Sequence, residues 1–238
     1  NPSTHSFCTG EPYGYNDADE ETGLIEDSRT RCEDASMKSL TDKQRESIEA
    51  ALEHESNNDA PFTLSRTRRI AREADAPLLA VEHAALCRGI VPRRYDSNIG
   101  TLGVEGQRTL LESQAMVAGL GGLGGNVLES LARLGVGRLT GVDPDRFEEK
   151  NLNRQVLGTT ENIGESKVSA AAERVARINP GIQFTGRDTT VEEVDREAFR
   201  NSSVVFDCLD SADARRRLGR MCARAQVPLV HGAVAGWS

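Results

Sequence analysis

Residues 114–143, QAMVAGLGGLGGNVLESLARLGVGRLTGVD, restrict what this chain can fold into more than any other stretch. A short apolar run, QAMVAG, ends in glycine. NVLESLARLGVG then reads as an amphipathic helix closed by glycines, and RLTGVD as a second strand. Gly119, Gly121 and Gly124 fit G-x-G-x-x-G between that strand and that helix, with Gly122 in the same loop. The first glycine permits the tight turn, the second lets backbone approach a phosphate, and the third permits close helix–strand packing. Free N–H groups at the helix start would face the phosphates. Asp143 lies 24 residues after Gly119, at the end of the second strand, where its carboxylate would accept hydrogen bonds from ribose hydroxyls. These residues alone specify an adenine nucleotide and leave NAD, FAD and ATP open.

The pattern continues as alternating helix and strand. SKVSAAAERVARIN is a helix, GIQFTGRD and SVVFDCLD are strands with the helical VEEVDREAFR between them, SADARRRLGRMCARAQ is a helix, and VPLVHG a fifth strand. Strands separated by helices imply right-handed crossovers. The expected class is α/β, Rossmann-like, a mainly parallel sheet with helices on both faces, preceded by a small helical N-terminal segment. Three regions are expected: an acidic disordered segment over 1–40, a helical hairpin over 41–91, and an ATP-binding domain over 92–238, incomplete at its C-terminus.

Charge separates the first of these regions from the rest. Residues 1–40 carry three basic and nine acidic side chains, so −6 of the net −8 resides there. They are poor in apolar residues, which favours disorder. The chain starts with Asn, and Met37 stands just before the first helical pattern, so a natural start at Met37 with residues 1–36 foreign is one expectation. The next region, through residue 95, outlines a helix-turn-helix, but nine basic residues there meet nine acidic ones. With no basic face, a hairpin docked on the rest of the protein is expected over DNA binding. No apolar run approaches the roughly 18 residues needed to span a membrane. The five cysteines form no C-x-x-C pair and no zinc spacing, which points to a reducing cytoplasm.

The segment after Asp143 exceeds the needs of a plain dinucleotide site. NLNRQ supplies Asn151, Arg154 and Gln155, and Lys167 comes thirteen residues after the arginine. Two cations and two amides near a helix N-terminus suit a triphosphate, whose charge grows during attack at phosphorus. Arginine can grip oxygens through two parallel bonds. Asp210, just past the fourth strand on the same sheet edge, could hold a magnesium ion. Each has a plainer role available: a charged helix face for Lys167, a surface ion pair for Arg154, and a cap on the helix beginning at Ser211 for Asp210. Asp207, within the strand, reads as structural.

GLGGLGGNVLESLARLGVGRLTGVD, NLNRQ, GESK, INP, DCLDS and VPLVHGAV resemble, in this order, the ThiF/MoeB/HesA family, relatives of the ubiquitin-activating enzymes. The resemblance runs from about residue 92 to the end. It implies an adenylyltransferase using ATP and Mg2+, in which the C-terminal glycine carboxylate of a ubiquitin-like sulfur carrier attacks the α-phosphate and pyrophosphate leaves. It assigns Asp143 to the ribose and Arg154 and Lys167 to the phosphates. It further assigns Asn151 and Gln155 to positioning, Asp210 to magnesium, and Arg215, five places after Asp210, to binding of the nucleotide. It also implies a homodimer, and a zinc site, where one exists, with ligands beyond residue 238. Two positions depart from the pattern. Ser97 replaces an arginine that in the family reaches the partner's ATP site, leaving Arg93 or Arg94 to substitute. Ser211 stands where Asn is common. Neither Cys208 nor Cys222 reads as a thioester nucleophile. Two other enzyme readings stay open: adenylylation and dehydration of a modified tRNA base, and an NAD-dependent oxidoreductase. A fourth is a non-enzymatic nucleotide sensor or scaffold.

Overall fold

The structure is a computed structural model and describes residues 39–56 and 60–232. The acidic segment before residue 39, with Met37, lies outside the described residues.

Among the described residues, five parallel strands form the central sheet: β1 (Gln114–Ala118), β2 (Arg138–Val142), β3 (Gln183–Arg187), β4 (Val204–Asp207) and β5 (Leu229–His231), in the order β3-β2-β1-β4-β5. The order reverses direction at β1, which pairs with both β2 and β4. Ligands collect at such a switch point, outside the carboxyl ends of the strands. Alternation along β1 divides the core between two faces. Ala115 and Val117 pack with Leu128, Ala132, Val168, Ala171 and Val175, while Met116 and Ala118 pack with Phe199, Leu218 and Cys222. The first set brings in α5 (Gly122–Leu134) and α6 (Lys167–Ile178), and the second α7 (Arg196–Arg200) and α8 (Ala212–Ala225). The expected parallel sheet covered on both faces is therefore present.

Among the described residues, four α-helices precede β1: α1 (Asp42–Ser56), α2 (Leu64–Glu73), α3 (Leu78–Cys87) and α4 (Asp96–Glu112). The sequence alone suggests no element at α4. Gly100, Gly103 and Gly106 dilute its helical signal, and Gly103 breaks it with φ +67°. Glycine in a helix interior costs about 0.8–1 kcal/mol relative to alanine, so packing must hold this helix. Leu111 supplies it, meeting Leu79 and Leu86 of α3.

In the helix-turn-helix outline the two helices are α2 and α3, and the second has no free face to read a groove. Leu79 to Leu86 of α3 are all buried. A recognition helix must expose the face that enters the groove. Here α3 instead joins the hairpin core of Ile48, Leu52, Ile70 and Ala71 and, on its other side, α4.

A buried polar cluster fastens the hairpin to the α/β body. Glu82 of α3, fully buried, pairs with Arg94 and accepts a hydrogen bond from the Tyr95 hydroxyl at 3.3 Å. Asn179, after α6, donates to that hydroxyl at 2.8 Å and accepts from Arg94 Nε at 3.3 Å. Arg94 and Tyr95 thus meet the I-N-P element of the sequence here. Burial pushes the Glu82 carboxyl from 4.5 to about 7, against the opposing charge of Arg94 and the hydrogen bonds from Tyr95 and Arg94. The unfolded carboxyl loses its proton near 4.5 and the folded one near 7. Between those values the folded state holds the extra proton, so stability falls as pH rises through the window. Thermal denaturation across this range should show that decline, and Glu82→Gln should flatten it. Glu82→Ala leaves Arg94 without its carboxylate and should cost about 3 kcal/mol at neutral pH, the lower end for a broken buried pair because Arg94 keeps some water.

Candidate active site

The glycine loop leaves β1 through Gly119, whose φ is +89°. A side chain at Gly119 would stand 2.7 Å from the Cys208 carbonyl oxygen, so the loop lies directly on the exit of β4. At Gly124 a Cβ would fall 1.8 Å from the Gly119 carbonyl oxygen. The first ordinary bond of α5 runs from Gly125 N–H to Gly121 C=O. The N–H groups of Gly122, Leu123 and Gly124 at its start therefore have no helical acceptor. A turn with such free N–H groups is suited to an anion.

Asp143 stands at the end of β2 with both oxygens engaged. Oδ2 accepts from Leu120 N–H at 2.7 Å and Oδ1 from Asp145 N–H at 2.9 Å. The acid thereby pins the glycine loop to β2, and each oxygen retains acceptor capacity for a ribose hydroxyl. Burial raises its pKa, opposed by these two N–H groups and by Lys167.

Lys167 begins α6 yet is only 5% exposed, which excludes the plainer reading of a solvated helix face. Its Nζ sits 2.8 Å from Asp145 Oδ2 and 3.7 Å from Asp143 Oδ1. The ammonium is thus beside the proposed ribose acid, and Asp145, whose side chain is largely exposed, can give it up to a stronger anion.

NLNRQ folds as a tight turn facing the glycine loop. Asn151 is buried and its Oδ1 accepts from Glu148 N–H at 2.9 Å, closing a reciprocal cap of a single helical turn. Its side chain therefore shapes the turn. Gln155 is also buried, and its amide lies 3.6 Å from where a Cβ on Gly121 would be. Its Oε1 is buried with no hydrogen-bond partner, a costly state unless a donor arrives. Arg154 is exposed and makes no ion pair among the described residues. Its Nη1 donates to Lys150 C=O and Asn153 Oδ1, each at 3.0 Å, and its stem lies against Gly122. Two cations, an orphaned amide and free helix N–H groups thus border one loop.

Asp210 is exposed, and no hydrogen bond or ion pair engages its carboxylate among the described residues. The cap of α8 is Ser211, whose Oγ accepts from Ala214 N–H at 3.5 Å, so the capping role falls to the serine and not to Asp210. Among the described residues no group of three or more His, Cys, Asp or Glu could hold a metal by itself. One free carboxylate suits Mg2+, which is commonly held by one or two carboxylates together with substrate phosphates.

Arg215 is committed to protein. It donates to the Leu209 carbonyl at 2.6 Å and the Gly232 carbonyl at 3.3 Å, and its Nη1 lies 3.5 Å from His231 Nε2. Asp207, read as structural, holds His231 Nδ1 at 2.7 Å. Sequence reasoning passes over His231. The β4–β5 register sets it beside Asp207, and no motif spacing signals that pairing. Of the two arginines near Ser97, Arg94 is occupied by Glu82 and Asn179, which leaves Arg93 exposed.

Burial, then the charge of Asp207, pushes the thiols of Cys208 and Cys222 up to about 11. Both are free and neither is an activated nucleophile. Iodoacetamide at pH 7.5 should alkylate each at least roughly a hundredfold more slowly than free cysteine, whose thiol ionises near 8.5. Peptide mass spectrometry over time measures both rates.

The ThiF family matches residues 95–238, well over half of the chain. A molybdopterin-synthase adenylyltransferase of Salmonella typhimurium is 38% identical over 143 residues, 59% of this chain and 57% of that protein. A sulfur carrier protein ThiS adenylyltransferase of Escherichia coli is 35% identical over 147 residues, covering 60% and 59% of the two chains. The chain thus spans under two thirds of the length of these relatives. Among solved structures, an E. coli tRNA N6-threonylcarbamoyladenosine dehydratase in complex with ATP superposes with a TM-score of 0.56 at 30% identity, over 60% of each chain. No helix among the described residues is long and apolar enough to cross a membrane. With the glycine turn, the acid at the end of β2, the NLNRQ element and Lys167 on one sheet edge, the chain belongs to the ThiF family.

Proposed function

We propose that this chain uses ATP to adenylylate the C-terminal glycine carboxylate of a small ubiquitin-like sulfur carrier. The observation that carries the reading is the pairing of a phosphate-binding glycine turn with Arg154 and buried Lys167, beside a free Asp210. In the proposed step a carboxylate oxygen of the carrier attacks the α-phosphorus. That O–P bond forms as the bond between the α-phosphorus and its bridging oxygen breaks, and pyrophosphate departs with the electron pair. No general base is required, because a carboxylate is already ionised at neutral pH.

Each residue has one task in this scheme. The N–H groups of α5 and Arg154 grip phosphate oxygens. Lys167 exchanges Asp145 for a phosphate and stays close to Asp143, which receives the ribose. The Gln155 amide donates toward the phosphates while its orphaned oxygen takes a donor hydroxyl or bound water. Asp210 would hold Mg2+, which neutralises charge on the departing pyrophosphate. A homodimer is part of the proposal, with Arg93 the available stand-in for the arginine absent at Ser97.

The likeness to the tRNA dehydratase favours a second reading, in which the same ATP site adenylylates a modified tRNA base. The net charge of −8 and the buried α3 weigh against it. ATP–pyrophosphate exchange separates the two. Exchange dependent on a sulfur carrier such as ThiS supports the first reading. Exchange dependent on threonylcarbamoylated tRNA, with none on any carrier, supports the second.

A further inference from the structure

Asp210 owes its place to the residue before it, and both polar backbone groups of that residue are held. Leu209 N–H donates to Asp207 Oδ1 at 3.1 Å, and Leu209 C=O accepts from Arg215 Nε at 2.6 Å. Asp207 is 1% exposed and sits opposite His231 in the β4–β5 register. Its other oxygen is 2.7 Å from His231 Nδ1. A carboxylate accepts and does not donate, so Nδ1 carries the hydrogen, and in the Nδ1–H tautomer Nε2 is an acceptor. Facing Nε2 at 3.5 Å is Arg215 Nη1, which can only donate. The same Nη1 reaches Gly232 C=O at 3.3 Å. The chain Asp207–His231–Arg215–Leu209 therefore closes on itself and clamps the peptide from which Asp210 projects.

We propose that His231 is a positioning residue of the active site: held by Asp207 and bonded to Arg215, it completes a brace that fixes Asp210 where it receives Mg2+ on the nucleotide. The inference rests on the adenylyltransferase reading and deepens it. It gives Arg215 a supporting task instead of direct nucleotide contact, and it places the determinant of metal affinity partly on β5. The brace acts first on the metal-dependent part of binding; Asp143, on β2, lies outside it, and the glycine turn meets it only at Gly119, beside the Cys208–Leu209 peptide.

The test measures binding of two probes by calorimetry, ATP in the presence of Mg2+ and AMP without it. Asp210→Asn sets the loss expected when the carboxylate itself is gone. His231→Ala and Arg215→Ala should each weaken Mg-ATP by about tenfold, with AMP affinity unchanged, and the double variant should be no worse than the poorer single one. His231→Asn, which still donates to Asp207, should recover part of the loss. Mg-ATP affinity untouched by His231→Ala, or losses that multiply in the double variant, would overturn the brace. Failure of the unsubstituted protein to bind either probe would instead sink the adenylyltransferase reading. A second measurement needs no variant. Long-range 1H–15N correlation spectra should show His231 as the Nδ1–H tautomer, and the Nε2–H tautomer would refute the proposal even if the substituted proteins fail to fold.

Discussion

Replacing Lys167 with methionine should lower carrier-dependent ATP–pyrophosphate exchange by roughly 10²- to 10³-fold, the usual cost of removing one preorganised charge-stabilising donor. The size of the effect depends on where the ammonium sits. The residue is 5% exposed, and the nearest partners of its ammonium are Asp145 at 2.8 Å and Asp143 at 3.7 Å. A cation kept out of water acts on phosphate charge through a low local dielectric, where it counts for more than an exposed one. Methionine preserves the stem and removes only the charge. Asp143 keeps its bonds from Leu120 and Asp145 N–H, so the loop should stay pinned. Exchange rates paired with thermal denaturation check this, with the rate loss expected in a folded protein. A variant that exchanges at the parent rate would remove Lys167 from the site.

Gly124→Ala should abolish nucleotide binding or folding, and Gly122→Ala should do neither. Helix propensity alone favours alanine at both positions by about 1 kcal/mol. Sterics reverse that preference at one of them. The new Cβ at Gly124 would lie 1.8 Å from the Gly119 carbonyl oxygen and 3.2 Å from the Cys208 Cβ, and neither backbone can withdraw without opening the loop against β4. At Gly122 the nearest atom is the Arg154 carbonyl oxygen at 3.4 Å, an ordinary contact. Expression, denaturation and ATP titration of the two variants side by side give the comparison. Equal behaviour would mean that the close approach of α5 to the Gly119 turn is not what the third glycine serves.

Local signals in the sequence carried most of the nucleotide turn. A strand, glycines at fixed offsets, an amphipathic helix and an acid after the next strand are short-range features, and each owes its form to nearby backbone geometry. The burial of Lys167 was not of that kind. Its residue type and helix-start position allow a solvated face equally well, and only the approach of Asp143 and Asp145 across 24 and 22 residues decides the matter. α4 escaped notice because its three glycines weaken propensity while its support comes from Leu79 and Leu86 of α3. His231 was hidden for a similar reason, since a strand histidine gains meaning only from the neighbouring strand's register. The helix-turn-helix outline shows the opposite case. The pattern gave the helices, while the burial of α3 settled what they cannot do.

In the proposed scheme, residues 151–167 turn a generic nucleotide loop into a triphosphate site. Calorimetric titration of the protein with Mg-ATP and, separately, with NAD is the decisive experiment, with Arg154→Ala and Lys167→Ala measured alongside. The expected result is binding of Mg-ATP, no binding of NAD, and weaker Mg-ATP binding in both variants. NAD binding in place of Mg-ATP, or variants that bind Mg-ATP as the parent does, would contradict the scheme.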